Sequence, residues 1–212
     1  MKKGTEVAAM ALLVAAAALA GCGAKDEKFR AQLLPIVAKI TERVKGTAAL
    51  TGKDPAATVE KTTEYLTDLA GLGADLKGLY VDGDKQQALV TAGQAYLSAT
   101  QRFVTTQQEF ARAYARLEAS RVKVRESLDA KARTSKFSLD FWKETHDRLV
   151  LELDKVRTEN EKARERLSAA TASVQQAAEA ASGPLGREVL VAPAVLDAHR
   201  KALEEVPLQK GA

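Results

Sequence analysis

A seven-residue repeat of large apolar side chains is the feature that most constrains how this chain can fold. Its large members are Leu89, Tyr96, Phe103, Phe110, Leu117 and Val124, and three residues after each one comes a small residue: Ala92, Ala99, Thr106, Ala113, Ser120 and Ser127. Apolar residues at the a and d positions of a heptad form a seam that faces a partner helix. Small residues at d would let the backbone of that partner approach closely.

A second heptad pattern follows between residues 139 and 177. One of its positions holds Leu139, His146, Leu153, Asn160, Leu167 and Val174, and the other holds Trp142, Leu149, Val156, Ala163, Ala170 and Ala177. Counting in sevens from Leu89 reaches Ser138, one residue before this pattern begins. The two registers therefore break within residues 131–138, where Thr134, Ser135 and Ser138 are candidate helix caps.

The break in register predicts a helical hairpin. No glycine or proline occurs between Gly93 and Gly183, so nothing else interrupts the helical pattern. We expect two antiparallel helices over about 84–133 and 138–181, each roughly 65–75 Å long at 1.5 Å per residue. One continuous helix of about twice that length is the alternative. It is disfavoured because it would leave a long apolar seam exposed.

Two shorter helices are expected before the hairpin. An apolar stripe between residues 26 and 45 contains Pro35, which predicts either a kink or a helix that begins near Leu34. Asp54 followed by a proline is typical of a helix N-cap and first helical residue. The second helix should run from there to about Tyr80.

The chain after the hairpin is expected to pack on the bundle. Residues 182–184 (Ser-Gly-Pro) end the second arm, residues 185–192 form an extended segment on the bundle, and a short helix runs from Pro193 to about Glu205. Together these elements predict an all-α protein, an elongated helical bundle built on the hairpin.

Composition supports helices and limits the partners. Of 212 residues, 46% are hydrophobic and only 5% are aromatic, and good helix formers such as Ala, Leu, Glu and Lys are abundant. The formal net charge is +4, and the pI is about 9.1. This excess is too small and too interspersed to indicate nucleic acid binding. The single cysteine excludes a disulfide within the chain.

The first 22 residues have the pattern of an export signal. Lys2 and Lys3 form a positively charged start, and residues 7–20 form an uncharged apolar run that is short for a membrane span. The run ends in Leu19-Ala20-Gly21-Cys22. This motif resembles the lipobox of bacterial lipoproteins.

The resemblance implies a lipid-anchored protein. Residues 1–21 would be removed as a signal peptide, and Cys22 would carry diacylglycerol on its thiol and an acyl chain such as palmitate on its new amino group. Several acyl chains on one residue give firm membrane anchoring. Gly23, rather than an aspartate, follows Cys22. By resemblance to Gram-negative lipoproteins, this argues for the periplasmic face of the outer membrane.

The chain therefore divides into four predicted segments. Residues 1–21 are the signal peptide, residues 22–27 a lipid-anchored tether, residues 28–206 a single helical bundle domain, and residues 207–212 a tail.

No group of side chains in the sequence predicts catalysis, a metal site or a cofactor other than the lipid. His146 and His199 lack a metal-binding spacing, and Glu144 and Asp147 point away from His146 on a helix. The motifs GxSxG, GxGxxG and the P-loop are absent, so we do not expect an enzyme. We interpret His146 and Asn160 instead as polar seam residues that set register and partner number.

The expected tip of the hairpin is aromatic and basic. Phe137, Phe141 and Trp142 either close the tip as a hydrophobic cap or form a contact surface for a partner or membrane. Arg133 and Lys136 belong to a region from residue 112 to residue 148 with ten basic and six acidic residues. The basic residues are Arg112, Arg116, Arg121, Lys123, Arg125, Lys131, Arg133, Lys136, Lys143 and Arg148. They form either a solvated face or a surface attracted to anionic cell-wall polymer or lipid headgroups.

The sequence favours a lipid-anchored, periplasm-facing scaffold or adaptor without catalytic activity. Its partners would be the membrane, an envelope protein or a second copy, or an anionic envelope surface. A ligand- or metal-binding bundle is the alternative. Such a site usually needs converging His, Glu or Asp side chains between helices, whereas these seams are mostly Ala, Leu and Val.

Overall fold

The protein is built from four α-helices, as seen in a computed structural model. The structure describes residues 4–50, 54–129 and 136–181, with side chains from residue 25 in the first range and from residue 139 in the third. The helices are α1 (Gly4–Ala48), α2 (Pro55–Lys77), α3 (Asp84–Asp129) and α4 (Lys136–Ala181). The described ranges contain no strand, which confirms the all-α prediction. The segments predicted after residue 181 lie outside the described residues.

Helices α3 and α4 form the antiparallel hairpin that the two heptad patterns predict. Ser120 Oγ lies 3.0 Å from His146 Nδ1. Two heptads away along both arms, Asn160 Nδ2 donates a hydrogen bond of 3.0 Å to Thr106 Oγ1. Both pairs have the same register, so the hairpin is confirmed and the continuous-helix alternative is wrong. Each arm has 46 residues, or about 69 Å, although α3 ends four residues before the expected position 133.

Large side chains of α3 face small ones of α4 in the half of the hairpin that lies nearer the start of α3. The register set by Ser120 and His146 places Leu89, Tyr96 and Phe103 opposite Ala177, Ala170 and Ala163. Nearer the tip it places Phe110, Leu117 and Val124 opposite Val156, Leu149 and Trp142, so both arms contribute large side chains there. Leu89, Tyr96 and Phe103 share a core cluster with Ala163, Ala170 and Ala177, and Ala113 shares one with Leu153. In the half nearer the start of α3, this alternation lets the two helices approach each other closely.

Helix α2 lies antiparallel to α3. Gln108 Nε2 donates a 2.7 Å hydrogen bond to Thr63 Oγ1 near the start of α2, and a Cβ on Gly93 would lie 3.5 Å from Leu76 near its end. The predicted N-cap is confirmed, because Asp54 Oδ1 accepts a hydrogen bond of 3.0 Å from the Ala57 amide. The helix ends at Lys77, before the expected Tyr80.

Helix α1 is longer than the 26–45 helix expected from the sequence. It runs without interruption from Gly4 to Ala48 and includes residues 23–27 and Pro35. The alternative of a helix that begins near Leu34 is therefore wrong. Thr41 Oγ1 lies 3.2 Å from Tyr96 Oη of α3, so α1 packs beside α3 through its second half.

The four helices pack together over only part of the length of the hairpin. The residues just after the C-terminal end of α1 lie beside Gln107 of α3, whose Nε2 donates to the Leu50 carbonyl. Helix α2 begins beside Ala111 and Ala115 of α3. Beyond that level, α3 and α4 are the only helices among the described residues. We call residues 113–129 of α3 and 136–153 of α4 the distal hairpin. The four-helix part is the proximal bundle.

Candidate functional surface

The predicted lipidation residue lies at the end of the protein opposite the hairpin tip. Cys22 belongs to α1, one helical turn before Asp26. Gln86 Nε2 at the start of α3 donates a 2.7 Å hydrogen bond to Asp26 Oδ1, and Lys25 Nζ donates a 2.6 Å bond to Asp82 Oδ2. These contacts hold this part of α1 beside the first turn of α3, whereas the tip begins where α3 ends at Asp129. Nearly the whole length of α3 separates the two sites.

His146 is buried in the seam of the distal hairpin. Only 4% of the residue is exposed, and its Nδ1 contacts the hydroxyl of Ser120. Ser120 in turn donates to the Leu117 carbonyl, so the hydroxyl accepts from the imidazole. The opposite ring atom, Nε2, is buried and has no hydrogen-bond partner. Within the side chains that the structure describes, no group of three His, Cys, Asp or Glu residues could hold a metal ion.

Asn160 occupies the seam where the distal hairpin joins the proximal bundle. It is fully buried, and its Nδ2 donates to Thr106 Oγ1 and, over 3.3 Å, to Gln107 Oε1. Gln107 also donates to the Leu50 carbonyl after α1. Asn160 is thus linked through one side chain to the end of α1, although its Oδ1 has no partner. Its role in setting register stays a prediction.

The aromatic residues at the tip do not form a closed cap in the part that is described. Phe141 is 51% exposed. Its ring meets that of half-buried Trp142 edge to face, with 5.2 Å between the ring centroids. The side chain of Phe137, like Arg133 and the side chain of Lys136, lies outside the described residues.

Three large apolar side chains of the distal hairpin are exposed, namely Val122 (55%), Phe141 (51%) and Leu151 (72%). Tyr80 is the remaining large apolar side chain that is strongly exposed among those described. The exposure of Val122 and Leu151 was not predicted from the sequence. Heptad numbering could have predicted it, since both residues occupy the f position, which points away from the seam.

Several basic side chains of the distal hairpin are exposed and form no ion pair within the described residues. These are Arg125, Lys143 and Arg148. Others are neutralised locally, since Arg116 pairs with Glu152 across the arms, and Arg121 and Lys123 pair with acids three residues away. Four acidic side chains of the distal hairpin, Asp129, Asp140, Glu144 and Asp147, are likewise exposed and form no ion pair within the described residues, so the described part of this surface carries no excess of positive charge.

A groove with an apolar lining lies where α2 begins. It has a volume of about 780 Å³ and is lined by Pro55 and Val59 of α2 and by Ala111 and Ala115 of α3, with Arg112 at its edge. It is open to solvent, and Glu60 and Arg116 also line it. Its chemistry is that of a shallow contact surface.

No family model, curated protein or solved structure matches this chain. Over residues 25–50, 54–129 and 139–181, none of the helices is both long enough and apolar enough to cross a membrane. Its function must therefore be argued from its own geometry.

Proposed function

We propose that this protein is a lipid-anchored scaffold of the cell envelope, which presents the distal hairpin to a partner at a distance from its own membrane. The lipobox-like motif that ends at Cys22 supplies the anchor in this proposal, and the expected location is the periplasmic face of the outer membrane. The protein acts through contact and position rather than through catalysis.

The separation between Cys22 and the hairpin tip is the observation that carries this proposal. Contacts of Lys25 and Asp26 hold the segment that follows Cys22 beside the start of α3. With 46 residues, α3 then spans about 69 Å before the tip. An antiparallel hairpin with a packed apolar seam is a semi-rigid spacer, so in this proposal the tip is held away from the anchor.

The distal hairpin offers the contact surface for this scaffold. Its exposed side chains include Val122, Phe141 and Leu151. The polar seam residues His146 and Asn160 are buried between the arms and are not available to a partner. Contiguous exposed apolar surface is typical of contact sites, and the adjoining rings of Phe141 and Trp142 are the described part of the distal hairpin that best fits this.

Membrane fractionation of cells that produce the wild-type chain or Cys22→Ala tests the anchor. We expect wild-type protein in the membrane fraction and the variant in the soluble fraction after a wash with high salt. If Cys22→Ala remained with the membrane after that wash, the lipid anchor would be wrong.

Photocrosslinking in cells tests where the partner binds. A photoreactive residue at Phe141 should crosslink to a component other than the protein itself. The same residue at Tyr80, which is 76% exposed but lies in the proximal bundle, is the matched control. Equal crosslinking from both positions, or crosslinking only to other copies of the chain, would contradict a scaffold that acts through its tip.

A further inference from the structure

We infer that residues 185–206 of this chain fold back along the hairpin and occupy an open groove between α3 and α4. The groove lies between residues 84–95 of α3 and 173–180 of α4, and we call it the base groove. Its occupant follows α4 in the chain and lies outside the described residues. The inference does not depend on the lipid anchor, so it goes beyond the proposed function and can fail separately from it.

The base groove has room for a further segment of chain. It has a volume of about 720 Å³, and five of the residues that line it are alanines. Ala88, Ala95 and Ala180 are exposed there, whereas Ala92 is buried. Proteins pack their interiors closely, so the space that small side chains leave is filled by large ones. The groove therefore suits a segment with large apolar side chains.

The opposite groove between the two arms is already filled by α1. Gln86 of α3 is buried and donates a hydrogen bond to Asp26 of α1, and Ala178 of α4 shares a core cluster with Phe29 of α1. Gln86 and Ala178 occupy e positions of their heptads, whereas the base groove lies between g positions. In the described part of the chain, no residue of α1 or α2 lines the base groove.

The chemistry of the g positions changes at the base groove. Further along the hairpin these positions form ion pairs across the arms, Arg102 with Glu159 and Arg116 with Glu152. Charged side chains are usual at g positions, because such positions border water. At the base groove the g positions are instead small and uncharged, namely Ala88, Ala95, Ser173 and Ala180. This change indicates that a further segment covers the hairpin there.

The position of the end of α4 favours the chain's own C-terminal segment as the occupant. Helix α4 ends at Ala181, directly after Ala180 of the groove, and 31 residues follow, 182–212. The groove extends about 17 Å along α3, and residues 185–192 alone can span about 26 Å when extended. The large aliphatic residues of the segment are Leu185, Val189, Leu190, Val191, Val195, Leu196, Leu203 and Val206.

Attachment at the edge of the groove also favours this segment over a separate protein. A short link to a binding site gives a local concentration on the order of millimolar. A competing partner would have to reach a similar concentration or bind much more tightly. Gly183 and Pro184 disfavour a continuation of α4, which favours a change of direction beside the groove.

Photocrosslinking of the full chain in cells tests where the segment lies. A photoreactive residue in place of Thr91, which is exposed at the groove, should crosslink to a peptide within residues 185–206. The denatured product should keep the mass of a single chain. The same residue in place of Ala31, which is exposed on α1, is the matched control and should give no such product. Mass spectrometry of the digested product identifies the crosslinked peptide.

A charged pair in the groove tests whether the segment can be displaced. Ala95→Arg with Ser173→Glu introduces the pair that Arg116 and Glu152 form three heptads away, so the hairpin can accept it while the groove is filled. Trypsin should then cleave the purified full chain after Arg187 at least about tenfold faster than it cleaves wild type, because cleavage follows the population of the undocked segment.

Two controls accompany the charged pair. Cleavage after Lys210, which lies beyond the segment, should be as fast in the variant as in wild type. Ala31→Arg with Ala38→Glu adds the same side chains at exposed positions of α1 and should leave cleavage after Arg187 unchanged. Circular dichroism melting of all variants verifies that they fold.

The outcomes decide between this occupant and others. A crosslinked product with the mass of two chains, or one that contains another protein, would assign the groove to a different occupant and overturn the inference. Absence of a crosslink from Thr91 to residues 185–206 would also overturn it, as would equal cleavage after Arg187 in variant and wild type. If the charged pair prevented folding, the crosslink from Thr91 would decide alone, because that chain keeps Ala95 and Ser173. Fractionation of Cys22→Ala tests the proposed function independently of all these results.

Discussion

Two seam residues of the hairpin, His146 and Asn160, leave a polar atom without a partner. Among the buried side-chain atoms described, His146 Nε2 and Asn160 Oδ1 lack a hydrogen bond. Each residue faces one of the hydroxyl residues, Ser120 and Thr106, that interrupt the alanines of the α3 repeat. Each polar residue of α4 meets its hydroxyl partner on α3 in only one alignment of the two arms. These residues therefore specify that alignment, at a cost in stability.

Replacing Asn160 tests this balance between register and stability. Asn160→Leu should raise the free energy of unfolding by about 1 kcal/mol, because it removes a buried, unpaired oxygen. Leucines already occupy the equivalent positions one heptad away, at Leu153 and Leu167. Register and oligomeric state should become less uniform. Urea unfolding and light-scattering mass measure the two effects. A lower unfolding midpoint with an unchanged mass would show that Asn160 contributes stability rather than register.

Tyr96 should make stability fall at alkaline pH. Burial raises the pKa of Tyr96, and the hydrogen bond with Thr41 offsets part of that rise. As the pH rises past about 10, the unfolded chain ionises first, so the stability present below that pH is lost as the pH approaches the folded pKa. Tyr96→Phe should lose less stability than wild type between about pH 9 and 11. Tyr80→Phe, at an exposed position, should behave as wild type. Equal pH dependence of Tyr96→Phe and wild type would contradict this explanation.

At the scale of the helices, periodicity was sufficient to predict the hairpin but not what packs on it. The two heptads and their break in register located α3 and α4, because seam residues must repeat along a straight helix. Contacts across elements were missed where they use residue types that are normally exposed. Gln86, Gln107 and Gln108 are buried and tie α3 to the neighbouring segments. A glutamine in a helix gives no sign of burial until the neighbouring helix is placed.

The glycine at position 46 is likewise explained by a contact with a neighbouring helix, which the sequence alone does not reveal. The first helix was expected to end near residue 45, but Gly46 lies inside α1, which continues to Ala48. A Cβ there would come within 2.5 Å of Tyr65 Oη. Arg43 covers the same ring, 4.9 Å from its centroid, and pairs with Asp68. Glycine is therefore required by a neighbouring helix rather than by the local backbone.

Two alanine substitutions separate packing from helix propensity. Gly71→Ala in α2 meets no atom within 4 Å and should stabilise the protein by up to about 1 kcal/mol, as alanine is the better helix former. Gly46→Ala should instead destabilise it, because the new methyl group must displace the Tyr65 ring from beneath Arg43. Urea unfolding of both variants measures the difference. Similar stabilisation by both would show that Tyr65 moves at no cost.

For the whole molecule, the hairpin arms act as the part that sets distance. The proximal bundle holds the segment after Cys22, the predicted anchor, against α3, and the distal hairpin continues with two helices in the same heptad register. A change of length by whole heptads preserves every seam contact on both sides of the change. The length of the hairpin arms can therefore be changed without altering the residues at the predicted anchor or at the tip. The distance between these two ends can then be tested separately.

Inserting one duplicate heptad in each arm tests whether the hairpin is a continuous spacer. Repeating residues 113–119 in α3 and the facing residues 147–153 in α4 keeps Ala113 opposite Leu153 and leaves the tip intact. The maximum dimension from small-angle scattering, in the Cys22→Ala background, should rise by about 10 Å with an unchanged unfolding midpoint. Insertion in α3 alone should lower the midpoint without that gain, because seven residues lose their partners. If the paired insertion left the dimension unchanged, the arms would bend or fray and could not hold a tip at a fixed distance from the anchor.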